Sequence, residues 1–276
     1  MSRIVNQPQT NPVASKALET SANSASWTAE PTTVWVVLPA FNESAAIESL
    51  IQKICKAGDA IQREVQIVVI DDASTDDTAQ IVSRLSFRYP VTLEQHAVNQ
   101  GLSGALRTGF EYGLKHGNEG DIIVTLDADD TQPPASIPDM LTMIDAGYDV
   151  VIASRYQPGS RTIGVPWNRL LLTWVARWMF KIVTPIPGVR DYTCGFRAYR
   201  FSKLKQARDF YGDRFVSEKG FSCMVDVLLK MRPFRFIMGE VPMLLRYDQK
   251  QGPSKMKVAN NSVQTLKLLL KRRLGK

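Results

Sequence analysis

A chain of 276 residues with 44% apolar content is long enough to bury a full core, and its length favours one domain with at most an appendage. Three cysteines (Cys55, Cys194, Cys223), odd in number and far apart, argue against a disulfide framework or a zinc cluster and fit a reducing cytosol, while two histidines (His96, His116) are too few for a histidine-built metal centre. Charge is divided: residues 1–150 carry 9 Lys/Arg against 20 Asp/Glu, and residues 151–276 carry 25 against 7, balances of −11 and +18 behind the net +7. The acidic half suits a hard divalent cation, Mg2+ or Mn2+, and the basic half suits phosphates, nucleic acid or an anionic membrane surface.

Residues 1–32, polar and without an apolar run, read as a disordered N-terminal tail with no signal-peptide core, and the fold is expected to begin near Thr33. Val34–Leu38 is a β-branched run ending at Pro39; Asn42-Glu43-Ser44 follows, then a helical pattern from Ile47 to Ile54. The unit recurs. Val65–Ile70 runs into Asp71-Asp72-Ala73-Ser74-Thr75-Asp76 and a helix through Ile81 and Leu85; Val91–Gln95 runs into Asn99-Gln100-Gly101 and a helix over Ala105–Leu114. Ile122–Leu126 ends at Asp127-Ala128-Asp129, and Val150–Ala153 is the last clear strand. Strands alternating with helices predict an α/β fold, a mostly parallel Rossmann-like sheet flanked by helices, whose ligands bind beyond the carboxyl ends of the strands. Each polar cluster just named sits at such an end.

No run of eighteen uncharged apolar residues occurs, since Leu170–Ile186 is interrupted by Arg177 and Lys181, so no membrane-spanning helix is expected. That segment instead shows Leu171, Val175, Trp178 and Ile182 at helical spacing beside Arg169, Thr173, Arg177 and Lys181. A second stripe, Val263, Leu266, Leu270 and Leu274, runs beside Lys267, Lys271, Arg272 and Arg273, and predicts a basic amphipathic C-terminal helix over 258–276. Either segment can lie at a membrane surface or be a buried helix with a basic rim; two together favour peripheral membrane contact.

Asp127 and Asp129, two residues apart at a strand end, can reach one cation that bridges a diphosphate, although a D-x-D is also a common acidic turn. Asp71 and Asp72 can accept hydrogen bonds from a base or ribose, or can cap a helix. Asn99 to Gly104 can present helix-start amides to phosphate, but lacks the G-x-G-x-x-G spacing.

Taken in order, Pro39-Ala40-Phe41-Asn42-Glu43, Val69-Ile70-Asp71-Asp72-Ala73-Ser74-Thr75-Asp76, Asn99-Gln100-Gly101, Asp127-Ala128-Asp129 and Ala153-Ser154-Arg155-Tyr156 resemble family 2 glycosyltransferases of the GT-A fold. Within that family, Asp191-Tyr192-Thr193-Cys194-Gly195-Phe196-Arg197-Ala198-Tyr199 and Gly252-Pro253-Ser254-Lys255-Met256 are similar to dolichol-phosphate (polyprenyl-phosphate) mannosyltransferases. The resemblance covers residues 33–257 and implies a nucleotide-sugar-binding half (33–130) and an acceptor half (131–257). It implies that Pro39, Ala40, Asn42, Glu43, Asp71, Asp72, Asn99, Gly101 and Asp127 bind the donor, with Asp127 and Asp129 holding Mg2+ or Mn2+. Asp129, Arg155, Arg169 and Arg246 are then the catalytic candidates, and Arg169, Ser254 and Lys255 would grip the lipid phosphate. One departure stands beside the metal site, where the family's D-A-D-x-Q-H-P-P is here Asp127-Ala128-Asp129-Asp130-Thr131-Gln132-Pro133-Pro134, with Gln132 one place late.

The expected reaction is inverting transfer of a sugar, mannose from GDP-mannose, to a polyprenyl phosphate. It would take place at the cytoplasmic face of a membrane, with or without a separate membrane-spanning partner. An ionised phosphate nucleophile needs little general base; a sugar hydroxyl would need one, for which Glu218 and Asp226 are candidates against the plainer alternatives of helix start and ion pair. Other expectations are a family 2 transferase using UDP-glucose or UDP-N-acetylglucosamine with a lipid, saccharide or small-molecule acceptor, and a non-catalytic nucleotide-binding protein. No nucleic-acid motif is present.

Overall fold

The computed structural model describes residues 32–61, 63–165 and 178–249. The tail at 1–31, Arg169, most of the first amphipathic segment, Ser254, Lys255 and the C-terminal segment at 258–276 lie outside the described residues.

Seven strands form the main sheet, in the order β3-β2-β1-β4-β7-β5-β8. These are β1 (Val34–Ala40), β2 (Val65–Asp71), β3 (Val91–Gln95), β4 (Ile122–Thr125), β5 (Val150–Ser154), β7 (Arg197–Arg200) and β8 (Met238–Pro242). All run parallel except β7, which is antiparallel to both β4 and β5. A separate parallel ribbon pairs β6 (Arg161–Ile163) with β9 (Leu244–Arg246). The helices are α1 (Ile47–Ile61), α2 (Thr78–Leu85), α3 (Gly101–His116), α4 (Ile137–Asp145), α5 (Phe201–Tyr211) and α6 (Ser222–Met231). Residues 178–183 are also helical.

The central strands are apolar along their length because both faces are covered: every residue of β4 and β5 is buried, as are five of seven in β1. The chain goes from β1 outward through β2 to β3, then returns to place β4 on the other side of β1. Between β1 and β4 the connections therefore diverge, which opens a crevice beyond the carboxyl ends. Pro39 helps to open it. The Val37 carbonyl bonds the Leu126 amide and the Ala40 carbonyl bonds the Asp72 amide, so by alternation position 39 faces β4, where proline has no N–H to extend the ladder. Along α6 all ten residues are buried, among them Asp226 and Lys230.

No described helix is long and apolar enough to cross a membrane. In the described part of the first amphipathic segment, Phe180 faces the core while Trp178 and Ile182 are 43% and 74% exposed. The Lys181 ammonium lies 5.2 Å from the Trp178 ring centre. The expected stripe of Trp178 and Ile182 thus points outward.

Candidate active site

The loops after β1, β2 and β3 are joined by side chains that bond to backbone. Asn42, at φ 53, accepts the Thr75 amide on Oδ1 (2.7 Å) and donates its own amide to Ser74 Oγ (2.8 Å). The Glu43 amide donates to Thr78 Oγ1, and Asp76 accepts the amides of Ser44 and Thr78 at the start of α2. Burial acts to raise Asp76, but these hydrogen bonds outweigh it and hold the carboxyl below its usual range. Asp72, 3% exposed, receives the Gln100 amide on Oδ1 (2.8 Å), the Gly101 amide on Oδ2 (2.7 Å) and His96 Nδ1 at 2.7 Å. His96 Nε2 reaches Thr108 Oγ1 on α3, and Asn99 donates to the Asp72 carbonyl. Gly101 sits at φ 74, a backbone conformation in which a side chain would be strained. Asp72 therefore caps α3 from another loop, the position where a carboxylate best complements a helix start. Asp71, also buried, has longer contacts of 3.3 Å with the Ser74 amide and Gln95 Nε2.

Beyond β4 each of the three acids of the loop is held by neighbouring side chains. Gln132 forms a two-point amide clamp on Asp127, with Nε2 donating to Oδ2 (2.7 Å) and Oε1 accepting the Asp127 amide (3.1 Å). Thr131 donates its hydroxyl (2.7 Å) and amide (3.2 Å) to Asp129 Oδ1. Asp130, at φ 56, turns to Lys53 and Ser49 on α1. The Thr131 carbonyl accepts the Arg246 amide at 2.9 Å, which ties β9 to the same loop, while the Arg246 guanidinium pairs with Asp248 in solvent. From its displaced place in the sequence, Gln132 thus fixes the orientation of Asp127.

After β5, Arg155 forms a two-point ion pair with Asp191, each bond 2.7 Å, and a further bond to Thr193 Oγ1 (2.6 Å). Asp191 is fully buried and also accepts the amides of Arg155 and Cys194. Burial opposes its ionisation, but the Arg155 charge and hydrogen bonds prevail and hold it below its usual range. Further along this loop, the Gly195 carbonyl accepts Thr125 Oγ1, and a Cβ at 195 would lie 3.1 Å from Asp127 Oδ1. The 191–195 loop therefore links Arg155 to the wall of the acidic loop. Burial, with Asp191 adding for Cys194, pushes the Cys194 and Cys223 thiols up to about 12, so neither is a thiolate nucleophile at neutral pH.

The predicted donor residues Pro39, Ala40, Asn42, Glu43, Asp71, Asp72, Asn99, Gly101 and Asp127 all lie at the carboxyl ends of β1 to β4 or on the loops that follow, with Asp129 and Arg246 at the same loop as Asp127. Arg155 comes from the neighbouring end of β5. Buried Asp226 bonds buried Lys230 and also the more exposed Ser217, so it is an ion-pair partner placed away from base chemistry. Sequence reasoning missed the roles of Gln132, Thr131, His96 and Asp191. Asp191 stood out only through the resemblance, because nothing in its local pattern points to an arginine 36 residues away.

The glycosyl transferase family 2 model matches residues 35–208. Polyprenol monophosphomannose synthase of Mycolicibacterium smegmatis is 30% identical over 227 residues, covering 82% of this chain and 81% of that protein. Dolichol-phosphate mannosyltransferase of Pyrococcus furiosus is 31% identical over 81% of this chain, which spans 59% of that relative. Among solved structures, glucosyl-3-phosphoglycerate synthase from Mycobacterium tuberculosis, crystallised with Mn2+, UDP and glucosyl-3-phosphoglycerate, matches with a TM-score of 0.61 at 22% identity, covering 99% of this chain and 87% of that one. That likeness is one of fold, a GT-A α/β sheet with flanking helices. With strand order, crevice and acidic loop in place, the match over most of the chain settles the family: the protein belongs to glycosyl transferase family 2.

Proposed function

We propose that the chain is a hexosyltransferase that moves mannose from GDP-mannose to a polyprenyl phosphate with inversion at the anomeric carbon. The observation that carries this reading is the acidic loop: Asp127 and Asp129, each held by a neighbouring side chain, stand at the end of β4 where the crevice opens. Both relatives described above carry names that join mannose to a polyprenol or dolichol phosphate, which supports this choice of sugar and acceptor.

The donor set fits a hard divalent ion, Mg2+ or Mn2+. Among the described residues no group of three or more His, Cys, Asp or Glu side chains can enclose an ion; Asp127 and Asp129 are the hard oxygen ligands that would hold one. When bound, that ion would neutralise charge on the departing diphosphate. Everything else falls to the chain itself. Gln132 and Thr131 keep the two carboxylates in place before the donor arrives, so little reorganisation is needed on binding. Asn42, Glu43 and Asp71, on loops braced by Ser74, Thr75 and Thr78, border the end of the crevice proposed for the nucleoside. Asp72 acts one step back, by fixing the start of α3. Arg155, aimed by Asp191, supplies positive charge at the neighbouring strand end, where a phosphate would enter. A phosphate oxygen of the lipid attacks the anomeric carbon as the bond to the donor diphosphate breaks, and the electron pair leaves with the nucleoside diphosphate. With a second pKa of about 6, the attacking phosphate is already largely ionised, so no buried base is required.

Outward-facing Trp178 and Ile182 beside Lys181 support contact with a membrane surface, since aromatic and basic side chains suit the headgroup region. The test is to incubate the protein and Mn2+ or Mg2+ with GDP-mannose, UDP-glucose or UDP-N-acetylglucosamine, each with and without polyprenyl phosphate. Nucleoside diphosphate release and glycolipid are then measured. Lipid-dependent release from GDP-mannose alone is expected; turnover that ignores the lipid, or that prefers a UDP-sugar, overturns the assignment.

A further inference from the structure

Glu240 is an acid inside a strand. On β8 it is flanked by buried Met238, Gly239 and Val241, and is itself only 7% exposed. Its Oε1 accepts two consecutive backbone amides, Arg190 at 2.5 Å and Asp191 at 2.6 Å. Oε2 is enclosed without a well-formed hydrogen bond. A buried carboxyl with one oxygen left over is an expensive core residue, and one that survives in a sheet is held there by what it binds. Burial pushes its pKa up; the two amides and the nearby Ser154 hydroxyl act against this, and the Asp191 charge adds to it.

What Glu240 binds is the start of the loop that organises the second side of the site. From the amides of Arg190 and Asp191 the contacts run to the Asp191 carboxylate, then to the Arg155 guanidinium and Thr193 Oγ1. The same short loop ends at Gly195, against Asp127. We infer that Glu240 is a positioning residue for sugar transfer: it clamps residues 190–191 and so sets the aim of Arg155 and the wall beside Asp127, without touching donor or acceptor. This rests on the reading that Arg155 and Asp127 serve the transfer reaction.

The experiment compares Glu240→Ala, Glu240→Gln and Asp191→Asn, alone and in combination, by steady-state transfer from GDP-mannose to polyprenyl phosphate, by GDP binding, and by hydrogen exchange at the amides of Arg190 and Asp191. Glutamine can accept the same two amides; alanine cannot. Glu240→Ala is expected to lower kcat by about tenfold to a hundredfold, as small misplacements of a charged group do. It should lower kcat by more than it weakens GDP binding, because the loops after β1 to β3 are untouched, and Glu240→Gln should restore most of kcat. The effects of Glu240→Ala and Asp191→Asn should not multiply, because both act through Arg155. Unchanged kcat in Glu240→Ala, equal losses in the alanine and glutamine variants, or multiplying effects each overturn the inference. If the alanine variant does not fold, Glu240→Asp, which keeps the charge but withdraws it from the amides, takes its place with the same expectations. If the wild-type protein transfers no sugar, the functional reading fails. The clamp is then judged by exchange alone, where protection of the two amides unchanged in the variants sinks it.

Discussion

Around the ends of β2 and β3 the buried carboxylates meet backbone amides, hydroxyls and an imidazole, as Asp72 does with Gln100, Gly101 and His96. Past β5 two of the buried carboxylates meet cations: Asp191 holds Arg155, and Asp226 holds Lys230 within a helix that has no exposed face, while Glu240 keeps to backbone amides. The difference reaches back to the charge split between the two parts of the sequence, acidic before residue 150 and basic after it. It also predicts unequal sensitivity. An amide-capped acid can be replaced by asparagine and still accept a hydrogen bond, whereas removing an acid from a buried pair strands a charge. The first side is a frame built from caps, and the second is held largely by paired charges.

The comparison is tested most severely at the acidic loop after β4. Asp129→Ala is expected to reduce kcat for mannosyl transfer by at least about a hundredfold, with GDP binding partly kept; turnover still close to the wild-type rate would remove Asp129 from the reaction. Next comes Asp191→Asn, which leaves Arg155 without its counter-charge. Thermal or urea unfolding should show a loss of about 3 kcal/mol, the lower end for a broken buried pair since Arg155 is 20% exposed. Gln132→Ala should raise the Mn2+ concentration for half-maximal activity by about tenfold to a hundredfold, the range for losing a partner that orients a metal ligand; a flat metal titration would deny it that role. Asp72→Asn should cost only about 1 kcal/mol of stability, in line with a weakened helix cap, and a loss as large as that of Asp191→Asn would erase the distinction drawn here.

The smallest expected effect is on pH dependence, and Asp191 and Glu240 should show it with opposite signs. Asp191 is lowered in the fold, so its stabilisation is present above the ordinary carboxylate range and fades as pH falls through its depressed value. Glu240 is raised above 4.5, so its contribution is present below that value and fades as pH rises through the raised one. Urea midpoints measured across pH should therefore decline less on the alkaline side in Glu240→Gln than in the wild type.

Much of the first side was legible because its signals are local. The strand at Val91–Gln95 was read with its observed bounds, and the polar clusters after the first four strands do line one edge of the sheet. What local pattern could not show is which acid meets which partner. Helix capping was foreseen within Asp71 to Asp76, yet Asp76 serves its own helix while Asp72 caps the next one, 28 residues along the chain. Antiparallel β7 was not anticipated because Arg197 and Arg200 break its apolar run; Arg197 is nonetheless fully buried and donates to the carbonyls of Met224 and Tyr192. Glu240 did leave a signal, a charged residue in an apolar strand, the kind of exception that marks a constrained site.

The place of β7 also constrains the order in which the chain can assemble. Residues 197–200 lie between β4 and β5 in the sheet, so the earlier strands cannot join across that gap while the ribosome is still making residue 150. Until position 200 has emerged, β4, with all four residues destined for the interior, has an open edge. A nascent or truncated chain ending before β7 would hold the frame around β1 to β3 with a sticky flank. Aggregation of such fragments, rather than their gradual loss of activity, is the failure this topology invites.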